Sequence, residues 1–201
     1  MKADNEIEKM RKTLKKYMDA DRYYHTQGVR YTAAALAMAH GEDIGKAELA
    51  GLLHDSAKNI PEKEQLSLCE KNGIPISEIE RKSPYLLHAK LGAYIAEKKY
   101  GVADPEVLEA IRWHTTGTEG MSRLSQIIFI ADYIEPRRFK AGNLDEVRRM
   151  AFRDLDECCY IILRDTLGYL KMKGAFIDTE TEKAFHFYEK THNARIHKIK
   201  E

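Results

Sequence analysis

Apolar residues recur at helical spacing along most of the chain. Ile7, Met10, Leu14 and Tyr17 stand three or four residues apart and predict a first helix. A second runs from about Tyr23 to a stop at Gly41. The stretch KAELAGLLHDSAK, from Lys46 to Lys58, predicts a third, closed by the Asn59-Ile60-Pro61 break, after which Pro61 suits a helix start. Further helices are expected over YLLHAKLGAYIAEKKYG, after Asp104-Pro105 in PEVLEAIRWH, and after Ser122 in SRLSQIIFIADYIEP. Beyond a loop around Lys140 to Asn143, one long helix is expected from about Leu144 to Lys173, then a last one from about Thr179. Strand-like alternation is scarce, and no repeat, low-complexity tract or linker interrupts the pattern. The expectation is an all-α bundle of about eight or nine helices forming a single domain over residues 1–201, a length that buries a substantial core.

Several helices carry polar residues where the pattern calls for apolar ones. They are His25 in RYYHTQGV, His54-Asp55 in LLHDSAK, His88 in YLLHAKLG, His114 in IRWHTTG and Asp132 in FIADYIEP. Burying such groups is costly unless partners or a metal compensate. One core histidine alone is most often simply hydrogen-bonded; their joint occurrence points to a metal site. Imidazole with carboxylate suits iron, manganese, cobalt or zinc, whereas calcium or magnesium favours an all-oxygen set. Ligands from different helices can converge inside a bundle. Consecutive ligands on a helix diverge by roughly 100 degrees, which lets His54 and Asp55 share one metal or lets Asp55 bridge two. Lys58 lies four residues after His54 and hence on roughly the same helical face, where it is either a solvated lysine or a partner for a carboxylate or phosphate. Arg137, Arg138 and Lys140 leave the Asp132 helix directly, and arginine can grip phosphate bidentately.

Charge narrows the ligand class. Thirty-three Lys plus Arg against 32 Asp plus Glu leave no broad electrostatic surface for nucleic acid or anionic membrane. Any polyanionic ligand must therefore be held by local charge. The opening MKADNEIEKMRKTLKKYM has neither the apolar core nor the cleavage site of a secretory signal, and no run approaches the roughly 20 apolar residues that span a bilayer, so the expected compartment is the cytoplasm. Cys69, Cys158 and Cys159 lack metal-ligand spacing and read as buried thiols. His40 fits the end of its helix, and His186, His192 and His197 belong to a polar terminal helix outside the site. The sequence is compatible with a homodimer but does not specify one.

The ordered set His25, His54-Asp55, Asp132 resembles the H…HD…D signature of the HD-domain metal-dependent phosphohydrolase superfamily. RYYHTQGV, AGLLHDSAKN, HAKLGAYIA, IRWHTTG and IIFIADYIEPRR resemble, in order, blocks of its bacterial YqeK branch, over about residues 23–138, with a weaker echo in the C-terminal helices of about 144–197. Ser56 and the C-terminal third are where the likeness is weakest. The resemblance implies a helical HD domain, an iron cofactor of one or two ions, and symmetrical hydrolysis of diadenosine tetraphosphate (Ap4A) to two ADP. It implies His25, His54, Asp55 and Asp132 as metal ligands, with water activated at the metal as nucleophile and Asp132 as a candidate proton acceptor. His88 and His114 stand either as ligands of a second ion or as phosphate contacts that assist the leaving group. Arg138, Arg137 and Lys58 are candidate substrate contacts, Arg138 ahead of Arg137. Tyr24, Tyr85, Tyr133 and Phe139 are candidate base-stacking surfaces, although aromatics at helical spacing are more often core. The metal signature leaves two alternatives: the same site acting on a nucleoside monophosphate, deoxynucleoside triphosphate or cyclic dinucleotide, or a sensor that binds nucleotide without turnover.

Overall fold

The computed structural model describes residues 2–200, with side chains over 6–197. The described residues form eleven α-helices and no strand: α1 (Lys2–Leu14), α2 (Ala20–His40), α3 (Ile44–Leu53), α4 (Glu62–Lys71), α5 (Glu78–Lys82), α6 (Leu87–Tyr100, entered through a 3-10 turn at Pro84–Leu86), α7 (Pro105–Trp113), α8 (Arg123–Ile134), α9 (Leu144–Ala151), α10 (Leu155–Lys173) and α11 (Thr179–Lys200). The all-α expectation holds, and the caps read from sequence are where they were placed. Gly41 ends α2 with φ +73°, Asp104 caps α7 and Ser122 caps α8.

Two helices more than expected arise for identifiable reasons. The long helix expected over Leu144 to Lys173 is broken at Phe152–Asp154. There the Asp154 side chain accepts the Glu157 amide at 3.0 Å and starts α10, while His40 Nε2 takes the Ala151 carbonyl at 2.7 Å. Those side chains satisfy the backbone groups that a continuous helix would have paired. The short α5 is closed by a capping box in which Ser77 and Glu80 bond each other's backbone.

A third difference bears on the site. The helix expected to reach Lys58 ends at Leu53, and the chain runs on as successive tight turns in which Ser56, Lys58 and Ile60 donate to carbonyls three residues back. His54 and Asp55 thus occupy the first of these turns, and the spacing rule that put Lys58 on His54's helical face does not apply.

The main core joins α2, α3, α7, α8 and α10, with Val29, Leu36, Leu53, Ile111, Ile127 and Ile162 among its buried residues. A smaller cluster under α4 and α6 holds Ala57, Cys69, Leu87 and Leu91. All three cysteines are buried, free thiols. No described helix is long and apolar enough to cross a membrane. At Gly92 on α6 a Cβ would come 3.1 Å from the His54 carbonyl, so the absent side chain lets α6 press His88 against the His54-Asp55 turn.

Candidate metal centre

Three histidines are oriented by one device and a fourth by a side chain. His54 Nδ1 lies 2.8 Å from the Gly51 carbonyl, His114 Nδ1 lies 2.7 Å from the Ile111 carbonyl, and His88 Nδ1 bonds the Tyr85 carbonyl, each three residues back. Carbonyls only accept, so each Nδ1 carries the proton and each Nε2 presents a lone pair. His25, near the start of α2, reaches the same state through Glu135, whose Oε1 stands 3.0 Å from its Nδ1. All four Nε2 atoms turn toward one buried space.

Two carboxylates complete it. Asp55 Oδ2 lies 3.6 Å from His25 Nε2 and 3.3 Å from His54 Nε2, while its Oδ1 lies 3.4 Å from His88 Nε2 and 3.6 Å from His114 Nε2. Asp132 Oδ1 lies 3.0 Å from His25 Nε2 and 3.9 Å from His54 Nε2. Burial on its own would raise Asp55, but in the metal-free cluster protons carried by the facing His54 and His114 hold it well below the usual carboxylate range, in the place a cation would take. Asp132 is likewise held far down, against burial, by His25, His54 and Arg138. Burial pushes His88 down to about 3, so near neutral pH it is an uncharged acceptor.

The cluster is therefore a convergence of acceptors. The Nε2 atoms of His25 and His54 are buried and have no hydrogen-bond partner. The Nε2 lone pairs of His88 and His114 face each other at 3.2 Å, with the Thr115 hydroxyl 3.1 and 3.0 Å away as their shared donor. Orphaned imidazole nitrogens beside ionised carboxylates are what a cation would satisfy. The donor atoms of His25, His54 and Asp55 lie within 4.8 Å of one another, as do those of His54, His114 and Asp132, and those of Asp55, His88 and His114. These residues fit a divalent transition metal, and Asp55 offers one oxygen to each of two donor groups.

The cluster floors a cavity of about 660 Å³ whose wall includes His25, His114 and Asp132. Arg138 grips Asp132, with Nη2 at 2.6 Å from Oδ1 and Nε at 2.9 Å from the backbone carbonyl. Arg137 turns outward, its guanidinium 5.3 Å over the Tyr24 ring and 3.3 Å from Asp21, at the cavity mouth. Lys58 Nζ lies 3.3 and 3.4 Å from the two nitrogens of His88, and burial lowers its pKa. Among the candidate aromatics, Tyr133 and Phe139 line the cavity, whereas Tyr24 carries Arg137 and Tyr85 supplies the carbonyl that orients His88.

Three participants escaped the sequence reading. Arg22 pairs with Asp55, and it precedes His25 by one helical turn. Glu135 follows Asp132 by one turn and is 1% exposed. Thr115 adjoins His114 and hydrogen-bonds the histidine pair. The signal in each case was its spacing from a residue already singled out.

Comparison with known proteins places this geometry. The family model described as HD domain matches residues 22–137. A symmetrical bis(5'-nucleosyl)-tetraphosphatase of Bacillus subtilis (strain 168) is 38% identical over 168 residues, covering 84% of this chain and 89% of that protein. A protein of the same name from Staphylococcus aureus (strain NCTC 8325 / PS 47) is 35% identical over 184 residues, covering 90% of this chain and 94% of its own length. A solved structure described as a predicted HD superfamily hydrolase involved in NAD metabolism, from Clostridium acetobutylicum, superposes with a TM-score of 0.88 at 37% identity, over 92% of this chain and 97% of that one.

Proposed function

Because this chain belongs to the HD domain family, we propose that its cluster is the metal centre of a hydrolase that cleaves Ap4A symmetrically into two ADP. The relatives named symmetrical tetraphosphatases align over most of both chains. The observation that carries the chemistry is the pair of buried, unpartnered Nε2 atoms of His25 and His54 beside ionised Asp55 and Asp132.

His25, His54, Asp55 and Asp132 would hold a divalent metal, with iron the first expectation and manganese, cobalt or zinc compatible with the same donors. Such an ion, when bound, supplies Lewis acidity that lowers the pKa of water and neutralises charge on phosphate. The protein's own groups do the rest. Glu135 and the Gly51 carbonyl keep the His25 and His54 lone pairs turned inward. Arg138, already at the cluster, and Arg22 on the cavity wall gather the polyphosphate by charge-assisted hydrogen bonds. The Asp132 carboxylate accepts a proton as water attacks phosphorus. The bond to the bridging oxygen between the second and third phosphates breaks, and that oxygen leaves with its electron pair on one ADP. Thr115 and Lys58 hold His88 and His114 against the phosphate end. Chromatography of the products tests the reading: ADP is expected as the sole nucleotide, and ATP with AMP overturns it.

A further inference from the structure

The outer side of α2 lacks charge. Between Gln27 and Ala39 the helix carries one charged residue, Arg30, in thirteen, in a chain that is 32% charged. That charge is folded away: Arg30 Nη2 bonds Glu48 of α3 at 3.0 Å, the guanidinium lies 5.1 Å over the Tyr31 ring, and the side chain is 13% exposed. The inner side, with Val29, Ala33, Leu36 and Ala37, is fully buried and accounts for the packing of α2 in the bundle. The outer side takes no part in that packing, and a helix side that faces water ordinarily carries polar residues.

What stands there instead is a ladder. Tyr24, Tyr31 and Met38 recur every seven residues, so they project from one side of the helix over about 21 Å. They are 55%, 60% and 63% exposed. Ile44, which opens α3 just past the Gly41 turn, is 43% exposed. Ala35 lies four residues after Tyr31 and three before Met38, on the same side of the helix, and leaves a gap between two large rungs. Apolar residues scattered singly on a surface need no explanation, whereas a row of them marks a contact.

We propose that this ladder pairs two copies of the chain, α2 against α2 in antiparallel directions, about a two-fold axis beside Ala35. A patch that meets itself across such an axis must be complementary to itself, and the spacing meets that condition. Tyr31 and Met38 stand nearly equally far on either side of Ala35, as do Tyr24 and Ile44. Reversing one copy therefore sets Tyr31 on the partner's Met38, a favourable meeting of ring and thioether, and Tyr24 toward the partner's Ile44. Ala35 at the axis lets the two helices approach. The ladder holds no unpaired charge to repel its own copy, while a charged partner would find no counter-charge on it. The area also suffices. About half of four large side chains of roughly 150–250 Å² each, with the small residues between them, gives about 500–600 Å² per copy, or about 1,200 Å² in total, the lower bound for specific interfaces. The dimer is accordingly reversible on dilution. Its edge reaches the metal site, because Tyr24 lies under Arg137 at the cavity mouth.

Sedimentation velocity of the purified full chain tests the pairing. Between roughly 1 and 100 µM the wild-type mass should move from one chain toward two. Tyr31→Lys and Met38→Glu each set a charge at a position more than half exposed, so the helical amplitude in circular dichroism should hold. Each alone buries that charge against carbon in the dimer and should weaken pairing at least about tenfold. Mixed in equal amounts the two variants should pair again, because the new lysine of one copy meets the new glutamate of the other while the second Tyr31–Met38 contact stays intact. A wild-type chain that stays monomeric through this range, a variant that pairs like the wild type, or a mixture that associates no better than its components overturns the proposal. Should either variant fail to fold, Ala35→Arg decides instead by setting one cation on the axis against its own copy: loss of pairing with helicity intact supports the proposal, and unchanged pairing overturns it.

Discussion

Glu135 offers the sharpest test of how the centre is held together. Its buried carboxylate accepts from His25 Nδ1 at 3.0 Å and from the Arg137 amide at 2.7 Å. The fit is tight, since a Cβ added to Gly28 would lie 2.5 Å from Glu135 Oε2. Glu135→Gln keeps the shape but not the chemistry, because an amide has one acceptor oxygen where the carboxylate has two. If that oxygen serves Arg137, the amide nitrogen faces His25 and can only donate, which forces the proton onto Nε2 and removes the lone pair that faces Asp132. If it serves His25, the Arg137 N–H is left against another donor, at a cost of about 1–3 kcal/mol. Loss of an outer partner of this kind lowers metal affinity roughly 10- to 100-fold, or about 1.4–2.7 kcal/mol. Competition against a chromophoric chelator should show a drop of that size, with kcat/KM at limiting metal falling in parallel. A folded Glu135→Gln protein with wild-type metal affinity would refute this account of His25.

Three further outcomes follow from other parts of the molecule. Asp55→Ala removes the carboxylate shared by both donor groups, and should purify without metal and without turnover while circular dichroism keeps its helical amplitude; wild-type activity in the metal-free variant would remove the mechanism. In metal-free protein, His88 sits near 3 against an ordinary value of 6.5, so between those values the unfolded chain binds the extra proton. Stability should be full above about pH 6.5 and fall on acidification toward pH 3, by up to about 1.4 kcal/mol per pH unit from this residue; a flat unfolding midpoint between pH 7 and 5 would contradict that sign. Asp154→Ala deletes the cap that starts α10 and an ion pair to Arg195, and urea denaturation should register a loss of about 1–2 kcal/mol, an unchanged midpoint arguing that the cap is dispensable.

Much of this was legible in the residues themselves. His25, His54, Asp55, His88, His114 and Asp132 stood out because burying a titratable group in an apolar helix demands a partner, and the structure brings all six together. Gly41, Asp104 and Ser122 were readable as helix ends because capping depends on the local chain. The parts that were not legible depend on contacts across the fold. The break before Leu155 is held by His40, more than a hundred residues away, and the flanking apolar pattern continues through it. Arg22 and Glu135 look like ordinary solvated charges until tertiary packing turns them toward Asp55 and His25. Ile162 and Leu163 read as core, and their second face on the cavity exists only once α10 lies along α8.

The donors of the centre are contributed by α2, the turn after α3, α6, the end of α7, and α8, so they are strung along more than half the chain. Bringing them together requires long loops to close, at an entropic cost that grows with their length. Local structure supplies no two-histidine nucleus, because neighbouring donors in sequence are limited to the His54-Asp55 pair. A growing chain on the ribosome consequently has no donor group for the cation until α3 has packed on α2, and the Asp132 carboxylate joins only when α8 has been made and docked.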